Sequence, residues 1–475
     1  MDDTPLITYL RQQARLPGGS ARVPAGQIVA DMGTSRPTLM RAVQQAGDRV
    51  IAMGQTRRRA YAARRALRGQ WAPLPVFQVN QQGEPRLLGR LHLAHGHGCW
   101  FEGELTGWPL APGDSAMRDG WHEGLPYPLQ DMRPEGFLGR AFARTHAALL
   151  QVPEDPREWS DDDTLHALTL LGSDMPGDLI VGEAAYQRWA QQQLQAHAHV
   201  HTPATPHASR ATAWLQRAQD AMLAGHAGSS AAGEFPKFTA AVQRPDGHTQ
   251  HVLVKFSGLD DSHGSLRWAD LLVCEHLALE ALAQLGVPAA RSRILQAGGR
   301  TFLEVDRFDR HGAHGRSPVC SWQAVGNAML GDISGAWPEA GKRLQQHGLL
   351  GQDRPSANDS LRTLGLLWHF GRFIQNTDMH AGNLAFVPSN GRFQVAPAYD
   401  MLPMHHAPVR GVELPQRAYD VKLPLPDSFE VARPAAQAAH AFWLQASADT
   451  RIGIAFRAVC LGNAEAMAPL LRMMA

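Results

Sequence analysis

One stretch of the chain, residues 361–386, constrains the fold more than any other. Apolar side chains recur in it every three or four residues and predict a helix with one apolar stripe: Leu361, Leu364, Leu367, Phe370 and Ile374. The stripe ends before a short polar loop that contains Asp378, His380 and Asn383, and residues 384–387 predict a brief strand.

A carboxylate and an amide five positions apart on such a loop suit phosphoryl transfer. The Asp378 carboxylate can accept the proton of an incoming hydroxyl, while the amide oxygen of Asn383 helps to hold magnesium beside the phosphates. A second acid, Asp400, follows a predicted strand at 393–395, where kinases carry their principal metal ligand. The simpler alternative is that Asp378 and Asn383 only close a turn. The presence of Asp400 in addition to these two residues argues against that alternative.

The composition is that of a globular protein of about two to four domains, with 475 residues, 44% hydrophobic and 19% charged. No apolar run has the length of a membrane span and no cleavable signal opens the sequence, which predicts a cytoplasmic protein without a membrane partner. The four cysteines are far apart, which argues against a disulfide framework or a zinc site. The sequence has 45 basic residues of the Lys and Arg types, and only four of them are lysines. Each lysine is therefore a candidate for a position where a compact ammonium group is needed.

The first 68 residues predict a winged helix-turn-helix that binds duplex DNA. Helices are expected at 5–15, 24–33 and 35–46, with Ser35 as the N-cap of the third and Gly33 in the turn before it. A small helical domain used for protein contacts is the alternative.

The residues expected to contact DNA are mostly arginines. Early residues of the third helix would reach base edges in the major groove: Arg36, Thr38 and Arg41. Two short strands joined by a basic turn would form a wing whose arginines contact phosphates: Arg57, Arg58 and Arg59.

Residues 69–205 predict a mixed α+β subdomain and a linker, without any chemical constellation. Short strands are expected at 74–79, 87–93 and 100–105, and a helix at 137–150.

Two polar clusters in this part have a plain explanation and a chemical one. The acids at 161–163 could form a metal site. The simpler interpretation is that they lie at the start of a helix beginning near Thr164, where carboxylates interact favourably with the positive end of the helix. Three alternating histidines could chelate a transition metal, but a linker rich in Pro and His explains them more simply: His197, His199 and His201.

A small, Gly-rich segment at 225–237 predicts a phosphate-binding hairpin. It contains Gly233 and ends at Lys237, and such a segment lets backbone N–H groups approach phosphates closely. Lys255 lies inside an apolar strand, where an ammonium can neutralise phosphates and needs a buried partner.

Glu275 is the candidate partner of Lys255, because it borders the apolar stripe of a helix predicted at 267–285. A surface glutamate in an i,i+4 pair is the alternative. Residues 302–309 predict a strand that joins two lobes, with Phe308 beside a base, whereas residues 310–360 show little pattern.

From about residue 210 onward the chain resembles the HipA-type serine/threonine kinases, which are toxins of bacterial toxin–antitoxin pairs. The residues that carry the resemblance are Ser-Ala-Ala-Gly at 230–233, Lys237, Lys255, Val-Asp-Arg-Phe-Asp-Arg at 305–310, Thr-Asp-Met-His-Ala-Gly-Asn at 377–383, and Tyr399-Asp400. Residues 129–140 and 170–177 also resemble the amino-terminal subdomain of that family.

The resemblance implies a protein kinase that depends on ATP and Mg²⁺. It implies that Asp378 is the base, that Asn383 and Asp400 bind the metal, and that Lys255 contacts phosphates. Further implied roles are Asp306 and Phe308 beside adenine, His380 as a support of the loop, and Ser230 as a regulatory autophosphorylation site. Two positions depart from the family pattern, because Asp306 stands where Glu is usual and Gly382 replaces a basic residue.

The predicted fold class is α+β, with a winged helix-turn-helix (1–68) in front of a HipA-like two-lobed protein-kinase-type fold. The expected parts of that fold are an amino-terminal subdomain with linker (69–205), a kinase N-lobe (206–310) and a helical C-lobe (311–475). With this DNA-binding module fused in front of the kinase-type fold, the chain resembles the YjjJ-like subset of the family.

The resemblance also implies a set of partners and a function. The expected partners are a protein substrate such as an aminoacyl-tRNA synthetase, duplex DNA, an antitoxin and a second copy of the chain. The predicted function is growth arrest by a kinase that also binds its own promoter. A transcription regulator that uses a kinase-like domain as a nucleotide sensor is the alternative.

Overall fold

The computed structural model describes residues 4–197, 204–225, 235–409, 414 and 417–474. These residues form fifteen α-helices and eighteen strands in five sheets, which is a mixed α+β architecture.

The amino-terminal region is built from three helices and a three-stranded sheet of order β1-β3-β2. Its elements are α1 (Pro5–Gln13), β1 (Val23–Pro24), α2 (Ala25–Asp31), α3 (Arg36–Ala46), β2 (Val50–Met53) and β3 (Ala60–Ala63). Ser35 caps α3, because its Oγ accepts a hydrogen bond from the Thr38 amide at 3.3 Å, and Gly33 has a φ of +57° in the preceding turn. The winged helix-turn-helix interpretation of this element order stays a prediction.

The middle region is a five-stranded antiparallel sheet with helices packed around it, and its strand order is β7-β6-β5-β4-β8. Its elements are β4 (Leu74–Val79), β5 (Pro85–Leu93), β6 (Cys99–Gly103), α4 (Ser115–Arg118), β7 (Trp121–His122), α5 (Tyr127–Gln130), α6 (Gly136–Leu150), α7 (Asp161–Leu171), β8 (Leu179–Val181) and α8 (Glu183–His197).

The three acids that begin α7 connect the middle region to the amino-terminal region. The helix starts at Asp161 and not near Thr164, because the Oγ of Ser160 accepts from the Asp163 amide in a capping box. Asp162 pairs with Arg65 at 2.5 Å and Asp163 pairs with Arg68. These arginines follow the last strand of the amino-terminal sheet, so the acidic turn holds the chain that leaves that sheet.

The third region contains the sheet that bears the two candidate lysines, with strand order β12-β13-β11-β10-β9. Its elements are β9 (Thr205–Pro206), α9 (Arg210–Gly225), β10 (Lys237–Gln243), β11 (Thr249–Phe256), α10 (His263–Gln284), β12 (Ser292–Ala297) and β13 (Arg300–Asp306). In the antiparallel pair β10–β11, Lys237 lies directly opposite Lys255. Residues opposite each other in such a pair project from the same face, so both ammonium groups are on one side of the sheet.

The carboxyl-terminal region is mainly helical. Its elements are β14 (Arg310–His311), β15 (Gly315–Arg316), β16 (Cys320–Ser321), α11 (Trp322–Leu330), α12 (Trp337–Gln346), α13 (Arg354–Phe373), β17 (Ala385–Ser389), β18 (Arg392–Val395), α14 (Phe429–Ala448) and α15 (Ile454–Met473). One continuous hydrophobic cluster includes side chains from the middle region, from α10 and from the five helices α11–α15.

Residues 310–360, which showed little pattern in the sequence, contain the helices α11 and α12. Glycines inside both helices weaken the helical pattern, but each permits close packing. A Cβ at Gly341 would lie 2.4 Å from Cδ1 of Leu364, and a Cβ at Gly326 would lie 2.6 Å from Cγ2 of Ile333. The expectation of an unpatterned loop was therefore wrong, because glycine at these positions allows close contact with Leu364 of α13 and with Ile333 just after α11.

Within the described residues, α15 is the one helix whose length and hydropathy would allow it to cross a membrane. It packs along α14 and buries side chains that include Phe456, Cys460 and Met467. These contacts are those of the last helix in a helical bundle.

Candidate active site

The loop that follows α13 is closed by hydrogen bonds between its own residues. Nδ2 of Asn383 donates to the carbonyl oxygen of Asp378 at 2.8 Å, which leaves the amide oxygen of Asn383 for a ligand. The amide of Asp378 donates to Oδ1 of Asn376 at 3.0 Å. The two predicted functional residues are thereby fixed relative to each other.

His380 contacts the loop backbone directly and Asp378 at longer range. Its Nδ1 accepts from the Gly382 amide at 3.0 Å, so a neutral ring carries its proton on Nε2. Nε2 is 3.9 Å from Oδ1 of Asp378, which exceeds hydrogen-bond distance. A Cβ at Gly382 would lie 2.9 Å from Cε1 of His380, so a side chain here would require the ring to shift.

Asp400 is held by neighbours on two sides. The Ala398 amide donates to the Pro288 carbonyl and the Ala290 amide donates to the Ala398 carbonyl, both at 2.9 Å, which ties this segment to the end of α10. Asp400 has a φ of +51°, a left-handed conformation that non-glycine residues adopt only where the surroundings support it. Nδ2 of Asn376 supplies part of that support by donating to the Asp400 carbonyl at 3.3 Å.

Lys255 joins two carboxylates in the interior. Its Nζ donates to both carboxylate oxygens of Glu275 at 2.7 Å and also to Oδ1 of Asp400. Lys255 is 2% exposed and Glu275 is fully buried, which rules out the alternative of a surface glutamate. A buried ammonium requires such partners, because the desolvation of an unpaired charge is costly.

The charges of this cluster shift the pKa of each member. Burial alone would lower the pKa of Lys255, but the carboxylates of Asp400 and Glu275 raise it. Burial would raise the pKa of Asp400, but Lys255 and Lys237 outweigh burial and lower it. Burial raises the pKa of Glu275, and Lys255 only partly offsets that effect. Lys255 and Asp400 are therefore both charged at neutral pH.

Asp400 and the loop that follows α13 (residues 374–383, the candidate catalytic loop) border a cavity of about 910 Å³, and the middle region lies on its other side. One wall contains Lys237, Asp378, His380, Asn383, Tyr399 and Asp400. The opposite wall contains residues of the 124–138 segment, including Asp131 and Glu135, together with residues of α11. The sequence pattern does not predict this wall, because nothing in residues 124–138 has a catalytic pattern beyond the resemblance noted for 129–140.

Asp131 joins the two parts of this opposite wall, the 124–138 segment and α11. Its carboxylate accepts hydrogen bonds from the amide and the hydroxyl of Ser321, each at 2.6 Å, and Ser321 is the N-cap of α11. Arg133, on the same segment as Asp131, pairs with Asp161 at 2.5 Å. The Asp131–Ser321 bonds therefore connect the middle region to the carboxyl-terminal region at the cavity, whereas the Arg133–Asp161 pair holds the 124–138 segment to α7 within the middle region.

The donor set fits a magnesium ion that is shared with ATP. The amide oxygen of Asn383 and the carboxylate of Asp400 are hard oxygen ligands of the kind that Mg²⁺ prefers. Two protein ligands leave most of the octahedral coordination to phosphate oxygens and water. Lys237 and Lys255 place positive charge on the same face of the sheet, where phosphates would lie.

The residues predicted beside adenine, Asp306 and Phe308, do not line the cavity. The carboxylate of Asp306 accepts from Arg244 and Arg293 at 3.0 Å each, and its amide donates to the Arg291 carbonyl at 2.7 Å. The ring of Phe308 lies 6.1 Å from that of Tyr399, centroid to centroid. The adenine contact of both residues stays a prediction.

Several predicted residues lie outside what the structure describes. Gly233 and Ser230, with the rest of 226–234, are outside the described residues, as are His199 and His201. The four cysteines are all buried and free.

The candidate DNA-binding residues fall into two groups. Arg36, Thr38 and Arg41 are exposed on α3. In the turn between β2 and β3, Arg58 pairs with Asp119 of the middle region at 3.1 Å, and Arg59 donates to the Gly54 carbonyl at 3.0 Å. The side chain of Arg57 is outside the described atoms.

Comparisons with known proteins agree with the geometry. Residues 70–190 match the family model of the YjjJ-like toxin, middle domain, and residues 229–453 match that of the HipA-like C-terminal domain. Toxin YjjJ of Escherichia coli (strain K12) is 38% identical over 436 residues, which covers 91% of this chain and 92% of that protein.

Two solved structures show more distant likenesses. One is the Shewanella oneidensis MR-1 toxin–antitoxin complex of HipA, HipB and its operator DNA, with a TM-score of 0.49, 13% identity, and coverage of 84% of this chain and 96% of the other. The second is the Helicobacter pylori proinflammatory kinase CtkA, with a TM-score of 0.34, 12% identity, and coverage of 50% and 94%.

Proposed function

The chain belongs to the family of YjjJ-like toxins with a HipA-like C-terminal domain, and from this premise we propose that it is a serine/threonine protein kinase that depends on ATP and magnesium. One observation carries the proposal. The buried pair Lys255–Glu275 contacts Asp400, and Asp400 borders the same cavity as Asp378 and Asn383.

ATP would supply the phosphoryl group, and its bound magnesium would neutralise the charge that develops on the phosphate oxygens during transfer. Lys255, oriented by Glu275, would contact the α- and β-phosphates, and Asn383 with Asp400 would hold the metal. The Asp378 carboxylate would orient a serine or threonine hydroxyl and accept its proton while the hydroxyl oxygen bonds to the γ-phosphorus, the bond from that phosphorus to the β,γ-bridging oxygen breaks, and ADP leaves.

The substrate would enter between the catalytic loop and the middle region. The cavity is bordered by residues of both, and Asp378 is 51% exposed at its side chain, so a hydroxyl on a polypeptide segment can approach it. The resemblance to HipA-type toxins suggests a component of translation, such as an aminoacyl-tRNA synthetase, as the substrate and growth arrest as the outcome.

The amino-terminal region would bind duplex DNA through α3, which presents Arg36 and Arg41 to solvent. A regulator that only senses nucleotide is the second candidate, because the same exposed helix would serve it equally well. A sensor has no use for a catalytic base, so loss of Asp378 separates the two functions.

The test is incubation of the purified protein with radiolabelled ATP, Mg²⁺ and a cell extract, followed by measurement of phosphate on protein. The variant Asp378→Asn keeps the size of the side chain but removes the base, and a loss of about 10²–10⁴-fold is expected. The matched control is Asp359→Asn, the same change at an exposed position of α13.

Equal transfer by Asp378→Asn and by the wild type would contradict the kinase proposal. Wild-type protein that binds ATP without transferring phosphate would favour the nucleotide sensor. Induced expression of the wild type and Asp378→Asn in bacterial cells then tests growth arrest, which only the wild type should cause.

A further inference from the structure

Two side chains cross between the catalytic loop and the segment that carries Asp400. Asn376 reaches from the loop to Asp400, and Tyr399 reaches from the position before Asp400 back to the loop. The mechanism above assigns neither residue a role.

Asn376 uses both ends of its amide group. Its Oδ1 accepts from the Asp378 amide at 3.0 Å, and its Nδ2 donates to the Asp400 carbonyl at 3.3 Å. Asn376 is 7% exposed, so water has little access to these bonds. Only a side chain with an acceptor and a donor on one rigid group can connect the base to the metal-binding acid in this way.

Tyr399 makes the corresponding connection at the other end of the loop. Its Oη donates to the Gly382 carbonyl at 2.9 Å, directly before the predicted metal ligand Asn383. The phenol ring packs near Phe308, which limits the positions that the hydroxyl can take.

The backbone at both ends of this connection needs such restraint. Gln375 has a φ of +58° and Asp400 has a φ of +51°, and left-handed non-glycine residues persist only where neighbouring contacts hold them. Gln375 is held in turn by His406, whose Nε2 lies 2.8 Å from its Oε1, and by its own carbonyl, which accepts from the His405 amide at 3.0 Å.

We propose that Asn376 and Tyr399 are positioning residues that set the distance between the two metal ligands, Asn383 and Asp400. The inference rests on the proposed kinase function and deepens it. Each bond acts on one ligand, because Asn376 restrains Asp400 and Tyr399 restrains Asn383. Loss of either bond should weaken binding of the metal–nucleotide complex without changing the base.

The test measures metal binding separately from activity. Mn²⁺ replaces Mg²⁺, and electron paramagnetic resonance follows free Mn²⁺ as protein is added in the presence of a non-hydrolysable ATP analogue. Tyr399→Phe should raise the Kd of Mn²⁺ about fivefold, as expected for the loss of one hydrogen bond. Asn376→Asp should raise it at least as much, because it keeps the acceptor for the Asp378 amide but loses the donor to Asp400.

The matched control is Tyr419→Phe. The Tyr419 hydroxyl also donates to a backbone carbonyl, that of Phe373, at 2.9 Å, and Tyr419 does not border the cavity. The control should lower thermal stability as Tyr399→Phe does, while leaving the Mn²⁺ Kd unchanged. Kinetically, Tyr399→Phe should raise the Mg²⁺ concentration for half-maximal rate and leave the KM for the protein substrate unchanged.

The positioning role is overturned if Tyr399→Phe and Asn376→Asp bind Mn²⁺ within twofold of the wild type. If Asn376→Asp does not fold, Tyr399→Phe still decides the outcome. If the wild type itself binds no Mn²⁺ with nucleotide, the proposed kinase function fails instead, so the two failures can be told apart.

Discussion

The cluster of Lys255, Glu275 and Asp400 and the amino-terminal region both carry charges that the sequence assigned to a ligand, but the charges of the two regions differ in their burial and in their partners. In the cluster, Lys255 is buried between Glu275 and Asp400. In the amino-terminal region, the α3 arginines are exposed, whereas Arg58 pairs with Asp119 of the middle region. The predicted cluster came together, but one arginine assigned to DNA has a partner inside the chain.

The difference follows from the cost of burial. A buried ammonium must have a partner, so the sequence around Lys255 limits the choices to the few acids that can reach it. A surface arginine gains about 1 kcal/mol or less from any one pair, so many partners are nearly equivalent. Sequence therefore predicts the partner of a buried charge better than that of an exposed one.

The largest expected effect is that of Lys255→Met on stability. It leaves Glu275 and Asp400 without their cation, and the free energy of unfolding should fall by about 3–5 kcal/mol. Arg58→Met makes the same change at a pair whose arginine is half exposed and whose Asp119 also lies 3.5 Å from Arg22, so it should cost about 1 kcal/mol or less. Urea unfolding of both variants measures the comparison, and equal losses would contradict it.

The same variant has a pH dependence with a defined sign. In Lys255→Met the unpaired carboxylates become neutral when they take up protons, and burial already raises the pKa of Glu275. The loss of stability should therefore be smaller at pH 5 than at pH 8.

A second prediction concerns His406, which supports the catalytic loop through Gln375. Burial, followed by the positive charges nearby, lowers the pKa of His406 from 6.5 to about 3. Below pH 6.5 the unfolded chain binds a proton that the folded chain does not, so stability falls as the pH falls from 6.5 toward 3. At pH 5 this contribution amounts to about 2 kcal/mol.

His406→Gln should remove that part of the acid loss. Residues 1–68 contain no histidine, so the amino-terminal region cannot contribute a similar slope. Thermal unfolding of both proteins at pH 5 and pH 7 measures the effect. An unchanged difference in Tm between the two pH values would show that His406 is protonated in the folded chain.

The smallest effects are expected for DNA binding. Arg36→Ala and Arg41→Ala should each weaken binding to a duplex from the chain's own promoter region by about tenfold, the usual cost of a lost base contact. Arg58→Ala should change it less than twofold, because Asp119 already neutralises that guanidinium. Fluorescence anisotropy measures all three, and a large effect of Arg58→Ala would restore the wing contact that the sequence predicted.

Local sequence pattern was sufficient for the elements that carry the site. The apolar stripe before Asp378 predicts α13, and the structure has that helix at Arg354–Phe373. The apolar strand predicted around Lys255 is β11 (Thr249–Phe256), whereas Lys237, predicted at the end of a Gly-rich hairpin, is the first residue of β10. In contrast, α11 and α12 were missed, because Gly341 permits contact with Leu364 of α13 and Gly326 permits contact with Ile333 just after α11, and neither glycine follows a helical preference.

The sequence by itself determined which residues have the chemistry for phosphoryl transfer, because an isolated lysine in an apolar strand and an Asp–Asn loop are local signals. Only the tertiary structure decided that Lys237 lies beside Lys255, that Asn376 connects Asp378 to Asp400, and that the middle region forms the far wall of the cavity. These facts join residues that are remote in sequence or that have no catalytic pattern. Their positions are set by strand register and by packing in a shared core, which no local pattern encodes.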